Sequence, residues 1–255
     1  MEWNFERYPA ALTLSMDDGR DYPLAFLPGG RVSWAGTECA CHLLNAAEDL
    51  YLLTFDEAAA SPRLNRTLAL DMASGLTTMV TCRQGVNPKR PTYIATDILT
   101  GAFALPGIEP DFRRHGYTRD LVGKAIRWAY SPDFAIVHIY VSERYYRIKL
   151  LQRMGDPDSP YEVAMRNYVD RTEPAYYLRI RPGVVLFGFT EDNMDKVTGP
   201  EIACASRCQL IDLNTMTTVG RGFGQIGGEL DLFRAEGSFF EVTDAERSPE
   251  SGYYL

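Results

Sequence analysis

An internal repeat limits the folds open to this sequence more than any other feature. Residues 51–57 (YLLTFDE) align with residues 185–191 (VLFGFTE) at an offset of 134, and residues 70–78 align with 210–218 at an offset of 140. Each copy reads as a strand that ends in Glu, then a loop, then a hairpin that closes near a Thr-Thr pair. A long-range repeat of this kind predicts two structurally related halves.

The expected boundary between the halves is residues 105–110 (LPGIEP), a turn-rich stretch without periodicity. This boundary gives an N-terminal domain at 1–109 and a C-terminal domain at 110–255. A chain of 255 residues is long enough to supply a separate apolar core to each domain.

Most of the chain has the pattern of antiparallel strands, because short runs rich in Val, Ile, Thr, Tyr and Phe lie between Gly and Pro residues. The predicted strands are 12–16, 22–26, 31–34, 50–55, 66–72, 76–82, 92–98, 125–130, 134–141, 144–151, 175–181, 183–189, 207–213, 216–223 and 229–234. Helical periodicity is scarce: the best segment is 38–48, a weaker one is 161–168, and a turn is expected at 118–122. The chain is therefore predicted to be mainly β.

Closed or nearly closed antiparallel barrels are the natural form for two such halves, since closure removes exposed sheet edges. A barrel of about eight strands can hold one small ligand. The pattern thus predicts two tandem antiparallel β-barrels and a small-molecule ligand or substrate.

Charge and cysteine content exclude several classes of function. Asp and Glu outnumber Lys and Arg by 34 to 26, and the net charge of −8 disfavours nucleic acid and anionic membranes as partners. The five cysteines do not form the dense pattern of a disulfide scaffold. The sequence also shows neither a secretory leader nor a stretch of about 20 apolar residues, so a cytoplasmic location is expected.

The sequence resembles the MoaF family, named for molybdenum-cofactor biosynthesis protein F. The matching segments are residues 12–19, Phe26, 32–34, 118–124, 128–132, 138–140, 181–184, Glu191 and 220–224. The resemblance implies tandem lipocalin-like or calycin-like barrels, an N-terminal and a C-terminal MoaF domain. It implies less about chemistry, because a common catalytic function of the family is not established. Val185 stands where the family pattern suggests an aromatic residue, so a ligand contact at that position does not carry over.

Candidate functional residues are concentrated in the second half. His138 and Tyr140 alternate along one predicted strand, and Tyr145 and Arg147 alternate along the next, so each pair shares a side of its strand. If that side is the interior, His138 can act as the acid or base near neutral pH, with Tyr140 as a phenol donor. The alternative is a structural histidine packed among core aromatic residues. His115 is expected to be exposed.

A second row contains Tyr177, Arg179 and Arg181, and two inward arginines would need an anion or a carboxylate as partner. Glu191 is the preferred partner and Glu173 a poorer one, because Pro174 is expected to end its strand. Arg181 would polarise a substrate oxygen together with Tyr140, and Glu191 would orient an arginine or share the proton transfer. The predicted substrate-binding residues are Trp128, Tyr145, Arg147, Tyr177, Arg179, Phe187 and Phe189.

No cofactor and no metal is expected. Cys39, Cys41 and His42 lie on the predicted helix, where residues one and two apart do not converge on one point. Residues 222–227 match a dinucleotide fingerprint, but only 28 residues follow, too few for that unit. The glycines are therefore interpreted as hairpin and bulge positions.

Three functions remain open from the sequence. The first is a cofactor-free enzyme that isomerises, cyclises, dehydrates or cleaves an aromatic or polyketide-like carbonyl compound by acid and base catalysis. The second is a noncatalytic carrier or sensor of such a compound in a biosynthetic or degradative pathway. The third is a structural scaffold, and the chain could form a homodimer.

Overall fold

A computed structural model describes residues 3–57, 60–110, 113–131, 134–152, 172–191, 202–226, 229–231 and 234–244. These residues contain β-strands and turns but no helix. The chain divides into two compact units, one that runs to Gly116 without residues 92–94, and one that starts at Tyr117 and includes residues 92–94. The predicted fold class, mainly β with two tandem lipocalin-like antiparallel barrels, is confirmed.

The first barrel closes eight antiparallel strands in chain order. Its strands are β1 (Ala11–Met16), β2 (Asp21–Leu27), β3 (Arg31–Trp34), β4 (Thr37–Ala47), β5 (Leu50–Glu57), β6 (Arg63–Asp71), β7 (Leu76–Gln84) and β8 (Ile94–Ala102). Closure is made where Ser15 pairs with Ala102 and Met16 with Gly101. Buried and exposed side chains alternate along β1, and the buried set packs into one apolar cluster with Trp34 and Phe55.

The second barrel is a sheet of ten strands. They are β9 (Gly116–Tyr117), β10 (Lys124–Ser131), β11 (Phe134–Ile139), β12 (Tyr145–Gln152), β13 (Thr172–Arg181), β14 (Val184–Thr190), β15 (Ile202–Asp212), β16 (Thr217–Ile226), β17 (Glu229–Asp231) and β18 (Arg234–Asp244). The order is β12-β11-β10-β18-β16-β15-β14-β13-β9, with β17 on β16. Pairing of β12 with β13 joins the two ends of the eight long strands. Strand β18 lies between β10 and β16, and Lys124 is opposite Asp244.

Strand β4 replaces the helix predicted at 38–48. Residues 39, 40, 43, 44, 46 and 47 are all small or apolar, and this spacing suits a helix as well as a strand. The segment forms a strand because it hydrogen-bonds to β3 on one side and to β5 on the other. As a result Cys39 and Leu43 lie on the same side of β4 and pack into the barrel core. The weaker helix predicted at 161–168 lies outside the described residues.

Strand pairing confirms the first offset of the repeat and corrects the second. Tyr51 lies opposite Leu70, and Val185 lies opposite Ile211, so the offsets are 185 − 51 = 134 and 211 − 70 = 141. The value of 140 from the sequence was wrong by one residue. The offset of 140 aligns Thr77-Thr78 with Thr217-Thr218. The observed strand pairing instead aligns the turns of the two hairpins, at an offset of 141.

Equivalent turns follow β6 and β15. The side chain of Asp71 accepts hydrogen bonds from two backbone N–H groups of its own turn, and Asp212 does the same. Each turn ends in a left-handed residue, Gly75 with φ of 68° and Met216 with φ of 59°. The two Asp residues are 141 positions apart, and so are the two left-handed residues. The two hairpins therefore have the same turn structure.

The first three strands of the two barrels match at a smaller offset. Leu24 lies opposite Trp34 in the first barrel, and His138 lies opposite Ile148 in the second. Leu24 and His138 are 114 positions apart, and so are Trp34 and Ile148. The step from 114 to 134 means that the second copy has 20 additional residues between its third and fourth strands. They lie between β12 and β13, mostly among residues 153–171, which are outside the described residues.

Candidate functional site

A cluster of aromatic and aliphatic side chains lines the described interior of the second barrel. It forms because every second residue of a strand points to the same side, which places the apolar members of six strands, β10 to β15, together. The buried members include Ile126, Trp128, Ile136, Tyr140, Tyr146, Ile148, Tyr177, Val185, Phe187, Phe189 and Ile211.

His138 lies in the middle of this cluster and is 1% exposed. Five aromatic rings surround it with centroids 5.2–6.2 Å from the imidazole, those of Trp128, Tyr140, Tyr146, Phe187 and Phe189. Neither ring nitrogen has a hydrogen-bond partner among the described residues. Burial lowers the pKa of His138 to about 3, so the imidazole is neutral near pH 7.

Tyr146 links the aromatic cluster to buried charged groups. Its ring lies 4.5 Å from that of Phe189, and its hydroxyl has no hydrogen-bond partner among the described residues. Burial raises the pKa of Tyr146 well above its usual value; the carboxylates of Glu191 and Glu173 raise it further, and Arg207 acts in the opposite sense. This end of the interior is therefore polar.

Glu173 and Glu191 occupy neighbouring strands at this polar end. Glu173 is opposite Tyr146 in the pairing of β12 with β13. Ala175 is opposite Phe189, so the same register places Glu173 beside Glu191, the residue that follows β14. An oxygen of Glu191 lies 3.9 Å from a guanidinium nitrogen of Arg207, and both side chains are buried.

The first barrel has apolar residues at the positions that match four of these interior residues of the second barrel. Strand register matches Leu24 with His138, Phe26 with Tyr140, Val32 with Tyr146 and Cys39 with Glu173. The four residues of the first barrel are all buried in its apolar core. The fold thus closes without polar groups at these positions.

One ion pair is common to both barrels. Glu57 and Arg66 match Glu191 and Arg207 at the offsets of 134 and 141. In the first barrel the Nε atom of Arg66 donates to Glu57 at 2.5 Å. Because the pair recurs where the apolar and polar interiors otherwise differ, it belongs to the fold that the barrels share.

Several side chains predicted for the site lie in the interior. They are His138, Tyr140, Glu191, Trp128, Tyr177, Phe187 and Phe189. The hydroxyl of Tyr177 donates to the backbone oxygen of Tyr145 at 3.1 Å, which ties β13 to β12.

The structure does not bring the other predicted residues to this cluster. Tyr145 is 47% exposed, and Arg147 shares its side of β12, opposite to the side that carries Tyr146. Arg179 is exposed and forms a two-bond ion pair with Asp120, with Nε 2.7 Å from a carboxylate oxygen. Arg181 is half-buried and follows a bulge in β13.

Neither Tyr146 nor Arg207 was singled out from the sequence, and Glu173 was ranked below Glu191. Glu173 was discounted because of Pro174, but β13 begins at Thr172 and contains that proline. The signal that could have found Arg207 is the repeat itself, since Arg66 and Arg207 are separated by the hairpin offset of 141.

Cys39 and Cys41 share one side of β4, contrary to the geometry of the predicted helix. Burial and the neighbouring Cys39 raise the pKa of the Cys41 thiol to about 11. Within the described ranges, no group of three or more His, Cys, Asp and Glu side chains is placed to hold a metal ion.

His115 is buried, so its predicted exposure was wrong. Its Nδ1 atom lies 2.9 Å from the hydroxyl of Thr78, and this contact holds the ring against β7.

Comparison with known proteins assigns the second barrel to a protein family. A model of the MoaF C-terminal domain matches residues 115–242, which is 128 of the 255 residues. No match was found among curated proteins. No helix within the described ranges is long and apolar enough to span a membrane. The barrel fold and the family are compatible with small-molecule binding. The match over half of the chain, together with the two barrels, shows that the chain belongs to the MoaF family.

Proposed function

We propose that the interior of the second barrel binds a small planar organic molecule that carries a hydroxyl or carbonyl group. The observation that supports this function is His138, which is enclosed by aromatic rings and has no hydrogen-bond partner among the described residues. A buried polar atom without a partner costs about 1–3 kcal/mol, so such an atom in a native protein calls for a water or a ligand.

The chemistry of the ligand follows from the neutral imidazole. One ring nitrogen donates and the other accepts a hydrogen bond, which suits a hydroxyl group, while a carbonyl oxygen suits the donor alone. The rings of Tyr146, Phe187 and Phe189 offer faces and edges for a planar apolar body. The match of His138 with Leu24 supports a functional role, because the same fold closes with leucine at that position.

Two probes test this function, naphthalene and 2-naphthol, which differ only in a hydroxyl group. Titration calorimetry with the whole chain should show tighter binding of 2-naphthol, by roughly 3- to 10-fold if one net hydrogen bond is gained. His138→Leu, which installs the residue of the first barrel, should bind both probes equally well. Leu24→Met, at the matched position of the first barrel, should keep the preference for 2-naphthol.

Two results would contradict the proposal. One is the absence of saturable binding of either probe by the wild-type chain. The other is an unchanged preference for 2-naphthol in His138→Leu with a native melting temperature, because the hydroxyl would then be recognised elsewhere.

Cofactor-free proton transfer is the second candidate function, and the position of Tyr146 favours it. Tyr146 is in ring contact with His138 and is influenced by the carboxylates of Glu191 and Glu173, so a phenol donor, a neutral imidazole and carboxylates lie close together in one interior. These groups suit isomerisation, cyclisation, dehydration or carbon–carbon cleavage of an aromatic or polyketide-like carbonyl compound.

The ketone 2-tetralone tests proton transfer without any co-reactant. In D₂O, a base that removes a proton beside the carbonyl exchanges it for deuterium, which NMR follows directly. A catalytic site should accelerate exchange over buffer, and both His138→Leu and Tyr146→Phe should lower that rate by on the order of 10²-fold or more. Exchange at the buffer rate, with 2-tetralone bound, would leave binding as the function.

A further inference from the structure

We propose that the hydroxyl of Tyr146 donates a hydrogen bond to a second polar group of the ligand, and that this group is an acceptor such as a carbonyl oxygen. The ligand is then a planar hydroxy-carbonyl compound, whose hydroxyl group contacts His138 and whose second group contacts Tyr146. This inference rests on the proposed binding function and narrows the class of ligand.

The hydroxyl of Tyr146 is a buried donor that the protein does not use. It is fully buried and has no hydrogen-bond partner among the described residues. Burial raises the pKa of Tyr146 well above its usual value, so the phenol keeps its proton at neutral pH. A protonated phenol has one hydrogen to donate. A buried donor without a partner is costly, so a ligand that binds here is expected to supply an acceptor.

The fold itself does not require this hydroxyl. The matched position of the first barrel holds Val32, which is fully buried in an apolar core. In the second barrel, the ring of Tyr146 packs against Phe187 and Phe189, with ring centroids 5.2 and 4.5 Å away. A phenylalanine ring could make the same contacts, so packing accounts for the ring of Tyr146 but not for its hydroxyl.

Tyr146 and His138 lie at different levels of the interior. His138 is opposite Ile148 in the pairing of β11 with β12. Tyr146 lies two residues earlier on β12 and is opposite Glu173 on β13. The two side chains are thus diagonal neighbours on adjacent strands, and residues in this relation are about 7–8 Å apart. Burial acts on the pKa of both groups, and the carboxylates of the polar end act on that of Tyr146 as well. A ligand that satisfies both residues therefore carries two polar groups.

Hydroxyquinolines test the contact with Tyr146 without a change in ligand size. The compounds 3-hydroxyquinoline and 6-hydroxyquinoline differ from 2-naphthol only in one ring nitrogen, an acceptor that lies at a different distance from the hydroxyl group in each. Titration calorimetry of the whole chain at neutral pH gives the ratio of each affinity to that for 2-naphthol. Tyr146→Phe should lower this ratio by roughly 3- to 10-fold for at least one of the two, because one net hydrogen bond is lost. The affinity for 2-naphthol should stay within about 2-fold.

Two controls separate ligand recognition from a structural role. Tyr146→Phe should keep or raise the melting temperature of the free chain, because the hydroxyl that it removes has no hydrogen-bond partner in the described part of the chain. Tyr51→Phe makes the same change in the interior of the first barrel and should leave every affinity ratio unchanged. A clear fall in the melting temperature of Tyr146→Phe would show that the hydroxyl stabilises the free protein, which would overturn the inference.

The outcomes distinguish this inference from the proposed function. If the wild-type chain binds none of the probes, both fall. If His138→Leu loses the preference for 2-naphthol over naphthalene while Tyr146→Phe changes neither hydroxyquinoline ratio, the binding function stands and the role of Tyr146 is overturned. Loss of the preference for 2-naphthol over naphthalene in Tyr146→Phe would show that both residues contact one hydroxyl group, and the second polar group would be wrong.

Discussion

The imidazole of His138 is a buried base that stays neutral because the barrel excludes water from it. Its pKa in the folded chain is about 3, against about 6.5 for an unfolded chain. Between these two values the unfolded chain binds a proton that the folded chain does not bind. The free energy of unfolding should therefore be highest above pH 7 and should fall as the pH decreases.

This difference predicts an acid-sensitive contribution of about 2 kcal/mol between pH 7.5 and pH 5. Urea unfolding at both pH values measures it, with His138→Leu as the reference because leucine does not titrate. The stability of the wild-type chain relative to this variant should decline by that amount at the lower pH. An equal difference at both pH values would show that His138 titrates normally in the folded chain.

At the scale of elements, the two equivalent hairpins differ in one strained residue. Met216 adopts the left-handed conformation with φ of 59° and is 37% exposed, while Gly75 fills the matched position without strain. A left-handed conformation costs a residue with a side chain about 1–2 kcal/mol. Glycine avoids this cost, but it loses more backbone entropy on folding, which offsets part of the gain. The hairpin after β15 is thus the less favourable of the two.

Met216→Gly should stabilise the chain by about 0.5–1 kcal/mol, because the exposed side chain contributes little packing. The midpoint of urea unfolding is the measurement. Gly75→Ala is the matched control and should be destabilising, since its Cβ atom would lie 2.6 Å from the backbone oxygen of Phe103. A lower midpoint for Met216→Gly would show that the methionine side chain packs in a way that offsets its backbone strain.

Sequence patterns predicted strands well where alternation was clear and failed where one pattern suits two structures. The spacing of Leu43 and Leu44 in β4 fits a helix, and only pairing with β3 and β5 excludes it. Strand β18 was not predicted, because residues 234–244 show little alternation. The sequence placed His138 and Tyr140 on one side of a strand, but which side faces the interior depends on the register with β12. Tertiary pairing carries that information.

At the scale of the whole molecule, one chain contains two copies of a barrel with different interiors. The first is filled by apolar side chains such as Leu24 and Leu53, and the second holds His138, Tyr146 and Glu173 at its core. The copy with the apolar interior shows which side chains the fold tolerates at each polar position. Substitutions from one copy into the other are therefore the most informative variants of this protein.

Strand β18 also fixes the time at which the second barrel can form during protein synthesis. The first barrel closes through residues 15 and 102, whereas β10 finds its partner only when residues up to 244 exist. At 5–20 residues per second, the ribosome needs roughly 6–23 seconds to make the chain between the end of β10 and the end of β18. During that interval the edge of β10 awaits its partner, so nascent chains of this protein are expected to depend on chaperones more in their second half than in their first.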